Sequence, residues 1–190
     1  MSSPADAAAG TPRPVRLAPL TAEQWDDEIR TALTGLLPRS RHDPERSGNA
    51  VSVMVRHPGL ARALLTFNLH LLTASTLPPR LRELVVLRTA ARRGCAYELF
   101  HHTRLAREEG LSEAEIEAAQ RGEAAGELER AALAASDELD ADSAVSDATW
   151  ATLAAHLDER QLMDLVFTAG CYALLAGAFN TFGVQPERER

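Results

Sequence analysis

The sequence predicts an all-α protein, a compact antiparallel helical bundle. Three observations carry that expectation. No run of alternating apolar and polar residues is long enough for a strand. Aromatic residues make up only 5% of the 190, while alanine and leucine are plentiful, and that balance favours helix. Helix punctuation recurs along the chain, with short connections that imply antiparallel neighbours.

The elements follow from that punctuation. Residues 1–19 carry four prolines and are expected to form a flexible arm. Thr21 with Gln24 makes a capping box and opens a helix to about Leu37. The charged stretch from Pro38 to Gly48 reads as a loop, and Asn49 to Arg56 as a short helix. Pro58 suits the first turn of a helix through Leu60, Leu64, Phe67 and Leu71. Leu77-Pro-Pro79 breaks it. A helix over Arg80–Arg93 then stops at Gly94. The next spans Cys95 to Glu109 and ends at Gly110. Ser112 with Glu115 caps a helix to Gln120. Helices over Leu128–Leu139, from Ser146 through Leu157, and from Glu159 to Phe179 complete the set. One helical domain is expected over 20–184, followed by a charged tail over 185–190.

Composition removes several classes of function. The net charge is −7, no basic patch stands out, and no nucleic-acid partner is expected. All 20 basic residues are arginines. The absence of lysine excludes Schiff-base chemistry and a P-loop lysine. Two cysteines far apart in sequence fit no secreted disulfide pattern, and the first residues lack the charged and apolar regions of a signal peptide. A cytoplasmic protein is expected. The apolar run from Leu162 to Leu175 is short for a bilayer span and carries Asp164; it reads as a core helix, with no membrane partner. The apolar residues of Leu60–Leu72 and Leu162–Leu175 exceed what one thin helical layer covers, so self-association is expected.

The chemistry concentrates on one helix. Cys95, Glu98 and His102 stand three and four residues apart, on one helical face shared with Leu99, Leu105 and Ala106. A carboxylate on an apolar stripe is costly unless paired or used. His102 suits acid–base work because its protonation is tunable; the plainer reading is a core histidine satisfied by a carbonyl. Glu98 is its expected partner, the alternative being an ion pair with Arg88 or Arg80. Cys95 follows Gly94 at a helix start, where the dipole favours a thiolate. Glu83 either orients His102 or pairs with an arginine. Arg80 or Arg88 is expected to hold a substrate carboxylate bidentately. His101 is a second-tier proton carrier, and Tyr97, second-tier as well, projects off the stripe and is expected to be interfacial or packed. Adjacent histidines splay on a helix, so no metal site is expected.

The text Leu77-Pro-Pro-Arg-Leu-Arg-Glu83-Leu-Val-Val-Leu-Arg88, then Cys95-Ala-Tyr97-Glu98-Leu, His102 and Gly110-Leu-Ser-Glu-Ala-Glu-Ile116, resembles the carboxymuconolactone decarboxylase and alkyl-hydroperoxidase D-like family. Tyr172 and Asn180-Thr-Phe-Gly-Val184 look like it too. The resemblance implies a helical bundle of the alkyl-hydroperoxidase D type, assembled as a homo-oligomer (dimer, trimer or hexamer) with sites near subunit contacts. The peroxidatic branch carries Cys-x-x-Cys and then a histidine; here Glu98 stands at the second cysteine. One thiol cannot close a disulfide across a helical turn. The expected function is therefore cofactor-free acid–base chemistry, a decarboxylation, isomerisation or ring-opening, on a small organic acid or lactone. The alternatives are a thiol-dependent peroxidase or reductase, with Cys171 as a resolving thiol if it lies beside Cys95, and a binding assembly with a decayed site.

Overall fold

The structure is a computed structural model that describes residues 13–187. Ten α-helices and two 3₁₀ turns make up the regular structure of the described residues, with no strand among them. The helices are α1 (Asp27–Leu33), α2 (Pro44–Ser47), α3 (Asn49–Met54), α4 (Pro58–Thr73), α5 (Pro79–Arg92), α6 (Ala96–Glu108), α7 (Glu113–Arg121), α8 (Glu127–Asp142), α9 (Asp147–Ala154) and α10 (Glu159–Phe182).

The single domain expected over 20–184 divides by its contacts into two compact units. Among the described residues, unit 1 is built from 75–178, and unit 2 from 13–74 together with 179–187. The division falls inside α10, whose last residues belong to unit 2.

Unit 1 is organised around α5. Leu81, Leu84, Val85, Val86, Leu87 and Ala90 are all buried, so this helix is apolar around most of its girth. A helix of that kind needs neighbours on several sides. Ala106 of α6, Ile116 of α7, Leu133 of α8, Leu153 of α9 and Leu165 of α10 join the same buried cluster. The start of α5 is tied to α10 by Asp164, whose Oδ2 accepts from Thr76 N at 2.6 Å, Thr76 Oγ1 at 2.7 Å and Ser75 Oγ at 3.1 Å. The one acid of the apolar run is thus the clamp for the turn before Pro78-Pro79.

The link from α5 to α6 places the site. Gly94 adopts φ +57°. Its N–H donates to Ala91 O at 3.1 Å, and Cys95 N donates to Ala90 O at 2.9 Å. This is a Schellman closure of α5, and Cys95 is at once its last member and the N-cap of α6. A Cβ at 94 would meet nothing within 4 Å, so only backbone strain opposes a side chain there. Gly94→Ala is expected to lower stability by about 1–2 kcal/mol, measured by urea denaturation; an unchanged midpoint would contradict the left-handed assignment.

Unit 2 buries Trp25, Ile29, Leu33, Val55, Ala61 and Leu65 in its own cluster, and it differs from the sequence expectation in three places. The helix expected from Thr21 to Leu37 is interrupted. A 3₁₀ turn over Ala22–Gln24 keeps the capping box, but Asp26 then caps a new helix, its Oδ1 accepting from Ile29 N at 2.9 Å. The loop expected over Pro38–Gly48 holds a 3₁₀ turn and α2, because Asp43 accepts from Arg46 N and Pro44 fits the first turn. The described part of the expected arm and tail is tied down. Arg16 N and Leu17 N donate to Phe182 O at 2.8 and 3.1 Å, and Asn49 Nδ2 donates to Gln185 O at 2.9 Å. At Gly183, with φ +72°, a Cβ would collide with Pro14 O, so only glycine lets the two segments approach. Residues 1–12 and 188–190, the rest of the arm and tail, lie outside the described residues.

Helix α10 is longer than the apolar run suggests. By length and composition it is able to cross a membrane, with a mean hydropathy of 1.7. Half of that stretch is buried inside the protein, as in a core helix. Met163, Phe167 and Leu174 are exposed along it.

Candidate active site

α5 and α6 bring Glu83, Glu98 and His102 into one buried cluster in unit 1. Glu83 sits mid-helix on α5 and is fully buried. Its Oε2 accepts from His102 Nδ1 at 2.7 Å. Glu98 lies one turn before His102 on α6, and its Oε2 stands 3.4 Å from His102 Nε2. Both ring nitrogens therefore face a carboxylate, which is the arrangement of an imidazolium with two N–H donors.

The charge state follows from competing effects. Burial pushes the His102 imidazole down. The hydrogen bonds and negative charges of Glu83 and Glu98 push it up by more, and the balance raises it to about 9. At neutral pH His102 is therefore a cation. Its folded value lies above the ordinary one, so the stabilisation it gains is fully present below about 6.5 and is lost as pH rises through about 9.

The outer oxygen of Glu83 is also used. Arg82 Nε donates to Glu83 Oε1 at 3.1 Å, and Arg82 reaches Glu109 at 4.0 Å. Glu83 thus makes both of the contacts considered for it, with the imidazole and with an arginine. The ring of Tyr172, from α10, meets His102 edge-on, with centroids 4.8 Å apart and planes at 86°. Helical spacing does not assign Tyr172 to the site. Its only local signal is one polar ring among Cys171, Leu175 and other buried residues.

The remaining candidates fall in three groups. Cys95 is 1% exposed at the N-cap of α6, and both it and Cys171 are buried and form no disulfide. Tyr97 and His101 pair with each other instead, ring centroids 4.5 Å apart, and Phe100 packs edge-on against His101 at 5.1 Å. The two arginines expected to hold substrate are engaged elsewhere. Arg80 pairs with Glu115 and with Glu129, the latter at 3.2 Å. Arg88 forks onto Asp137 at 2.6 and 2.9 Å and donates to Gln120 O at 2.7 Å. Neither of them pairs with Glu98. Among the described residues no group of three or more His, Cys, Asp or Glu is arranged to hold a metal ion.

The all-α unit holds a carboxylate–imidazole–carboxylate cluster where α5 and α6 meet. Residues 58–141, the stretch that carries Glu83, Glu98 and His102, match the model of the carboxymuconolactone decarboxylase family. No curated protein matches the chain. Several solved structures share the fold. The alkylhydroperoxidase AhpD core protein of Ralstonia eutropha, described as peroxidase-related, aligns with a TM-score of 0.71 at 18% identity, covering 90% of this chain and 93% of that one. A peroxidase-related protein of Silicibacter aligns with a TM-score of 0.73 at 15% identity, covering 96% and 95%. The debrominase Bmp8 aligns with a TM-score of 0.70 at 18% identity, covering 90% and 91%. A cysteine-to-alanine variant of that debrominase was solved in complex with 2,3,4-tribromopyrrole.

Proposed function

We propose that this chain is a cofactor-free enzyme of the carboxymuconolactone decarboxylase type, performing acid–base chemistry on a small organic acid or lactone. The observation that supports it is His102 held between two buried carboxylates, with Glu98 where a dithiol enzyme needs its second sulfur. A protonated His102 is the general acid. Glu98, the carboxylate more loosely bound to it at 3.4 Å, is the general base. Glu83 orients the ring, and Cys95 supports the site. Isomerisation removes one proton and delivers another. Lactone opening by water needs a base to take the water's proton and an acid to protonate the leaving oxygen. Decarboxylation needs an acid to protonate the carbon that loses CO₂. An acid and a base side by side serve each.

The test is a pH–rate profile. With His102 as the acid, kcat/KM falls as pH rises through about 9, where the free enzyme loses that proton. A rate that rises through that range would mean that a deprotonated group does the work. The second reading is thiol chemistry at Cys95, favoured by its place at the N-terminus of α6 and by the peroxidase-related and debrominase neighbours. Efficient turnover of a hydroperoxide with a dithiol reductant, lost in Cys95→Ser, would put that reading first.

The enzyme is proposed to work as a cytoplasmic homo-oligomer. The exposed Met163, Phe167 and Leu174 on α10 support this. Light scattering is expected to give a multiple of the chain mass at micromolar concentration; the mass of a single chain would contradict it.

A further inference from the structure

One side of α10 is open in a pattern that the described residues do not account for. Between Met163 and Ala178, the exposed residues of this helix are Met163, Phe167, Gly170, Leu174 and Gly177. Their spacing alternates four and three, the repeat of a seam between two packed helices. None of the five is charged, although the solvent side of a soluble helix normally carries its charges. Asp164, the one charge in the stretch, is turned to Thr76. Val166 and Ala173, partly buried beside the seam, are apolar too.

Gly170 and Gly177 carry a second observation. Glycine in the interior of an exposed helix costs stability relative to alanine. A Cβ at either position would meet nothing within 4 Å, and neither residue has a positive φ. Neither backbone conformation nor packing among the described residues therefore requires glycine there. Close approach of another backbone does.

Building on the homo-oligomer reading, we infer that this seam is the contact between two copies of the chain, their α10 helices antiparallel about a two-fold axis at the level of Tyr172. In that register Phe167 of each copy faces Gly177 of the other, and Leu174 faces Gly170. Each large side chain fills the space that a glycine leaves. A parallel two-fold pair would set Phe167 on Phe167 and glycine on glycine, crowding one level and leaving a void at the next. The size pattern is its own complement when read backwards, as an isologous contact requires. Met163, Phe167 and Leu174 are 60%, 51% and 58% exposed, which leaves roughly 300 Å² of apolar side chain open per copy. Two copies cover roughly 600 Å² in these side chains alone; with the glycine backbone and the flanking Val166 and Ala173, the contact falls in the small, weak class of specific interfaces, below about 1,200 Å². The ring of Tyr172 meets His102 on the buried side of α10, so the second copy backs the helix that walls the site.

Sedimentation equilibrium of the intact protein from about 1 to 100 µM is expected to show reversible pairing of the 20.6 kDa chain. Gly177→Leu and Phe167→Glu are each expected to raise the dissociation constant at least about tenfold, with circular dichroism unchanged. Disulfide trapping under mild oxidation reads the register. In an equal mixture of Phe167→Cys and Gly177→Cys proteins, the antiparallel seam links one variant to the other, as peptide masses identify. Like variants stay unlinked, because their new thiols stand roughly 15 Å apart along the axis. Links between like variants mean a parallel pair and overturn the proposal. An oligomer that both seam variants leave intact also overturns it, while the homo-oligomer reading stands. A single chain at every concentration sinks both. Binding to phospholipid vesicles in place of pairing, lost in Phe167→Glu, assigns the stripe to a lipid surface and rejects the proposal as well.

Discussion

Replacing Glu83 with alanine is expected to destabilise the protein by about 3–5 kcal/mol, the range for removing one member of a buried ion pair. Two groups lose their partner at once. His102 keeps only the Glu98 contact at 3.4 Å, and Arg82, 8% exposed, keeps only Glu109 at 4.0 Å. The imidazole can respond by releasing its proton, but the guanidinium cannot. The measurement is urea denaturation at neutral pH, with Glu83→Gln as the milder companion. Gln keeps the volume and one hydrogen-bond acceptor while removing the charge. A loss below about 1 kcal/mol in the alanine variant would mean that water reaches the cluster and that the buried network contributes little.

The second large effect concerns rate. His102→Ala and Glu98→Gln are each expected to lower kcat on the cognate substrate by about 10²–10⁴-fold, the usual contribution of a positioned acid or base. Cys95→Ser is expected to cost far less, because serine keeps the shape and the hydrogen-bonding atom at the α6 N-cap. The three variants are compared side by side, with circular dichroism confirming that each is folded. If Cys95→Ser is as inactive as His102→Ala, the sulfur is the nucleophile or the redox centre, and the acid–base assignment fails. The double variant of Glu98 and His102 then serves as a check. Groups that act as one unit lose little more together than either loses alone.

Much of this cluster is legible in the sequence because it is local. Glu98 and His102 share a face by helical spacing, and Gly94 fixes where that helix begins. What spacing cannot give is the partner on another helix. The acids that occupy Arg80 and Arg88 come from α7 and α8, so in the sequence both arginines look available for a substrate. Tyr172 reaches His102 from a helix late in the chain; the family resemblance marks that residue, but no helical spacing ties it to His102. The interrupted first helix has another cause. Asp26 competes for the backbone N–H of Ile29 and starts α1 afresh, a contest that propensity alone does not decide. The described part of the N-terminal arm departs from expectation for a similar reason: its backbone bonds go to the carbonyl of Phe182, far along the chain.

The place of α10 in the chain has a consequence for biogenesis. It is translated after every other described helix, and it carries the ring that flanks His102, the Asp164 clamp on the α5 turn and a share of the unit 1 core. Until it emerges, the preceding helices have a groove where Leu165 and Ala169 will sit, and the site residues lack one wall. Chain synthesis thus leaves a window in which a long apolar helix and its unfilled groove are both exposed to aggregation or to capture by chaperones. Slower elongation just before α10 would lengthen that window, and an interrupted chain ending before it would have neither a complete core nor a complete site.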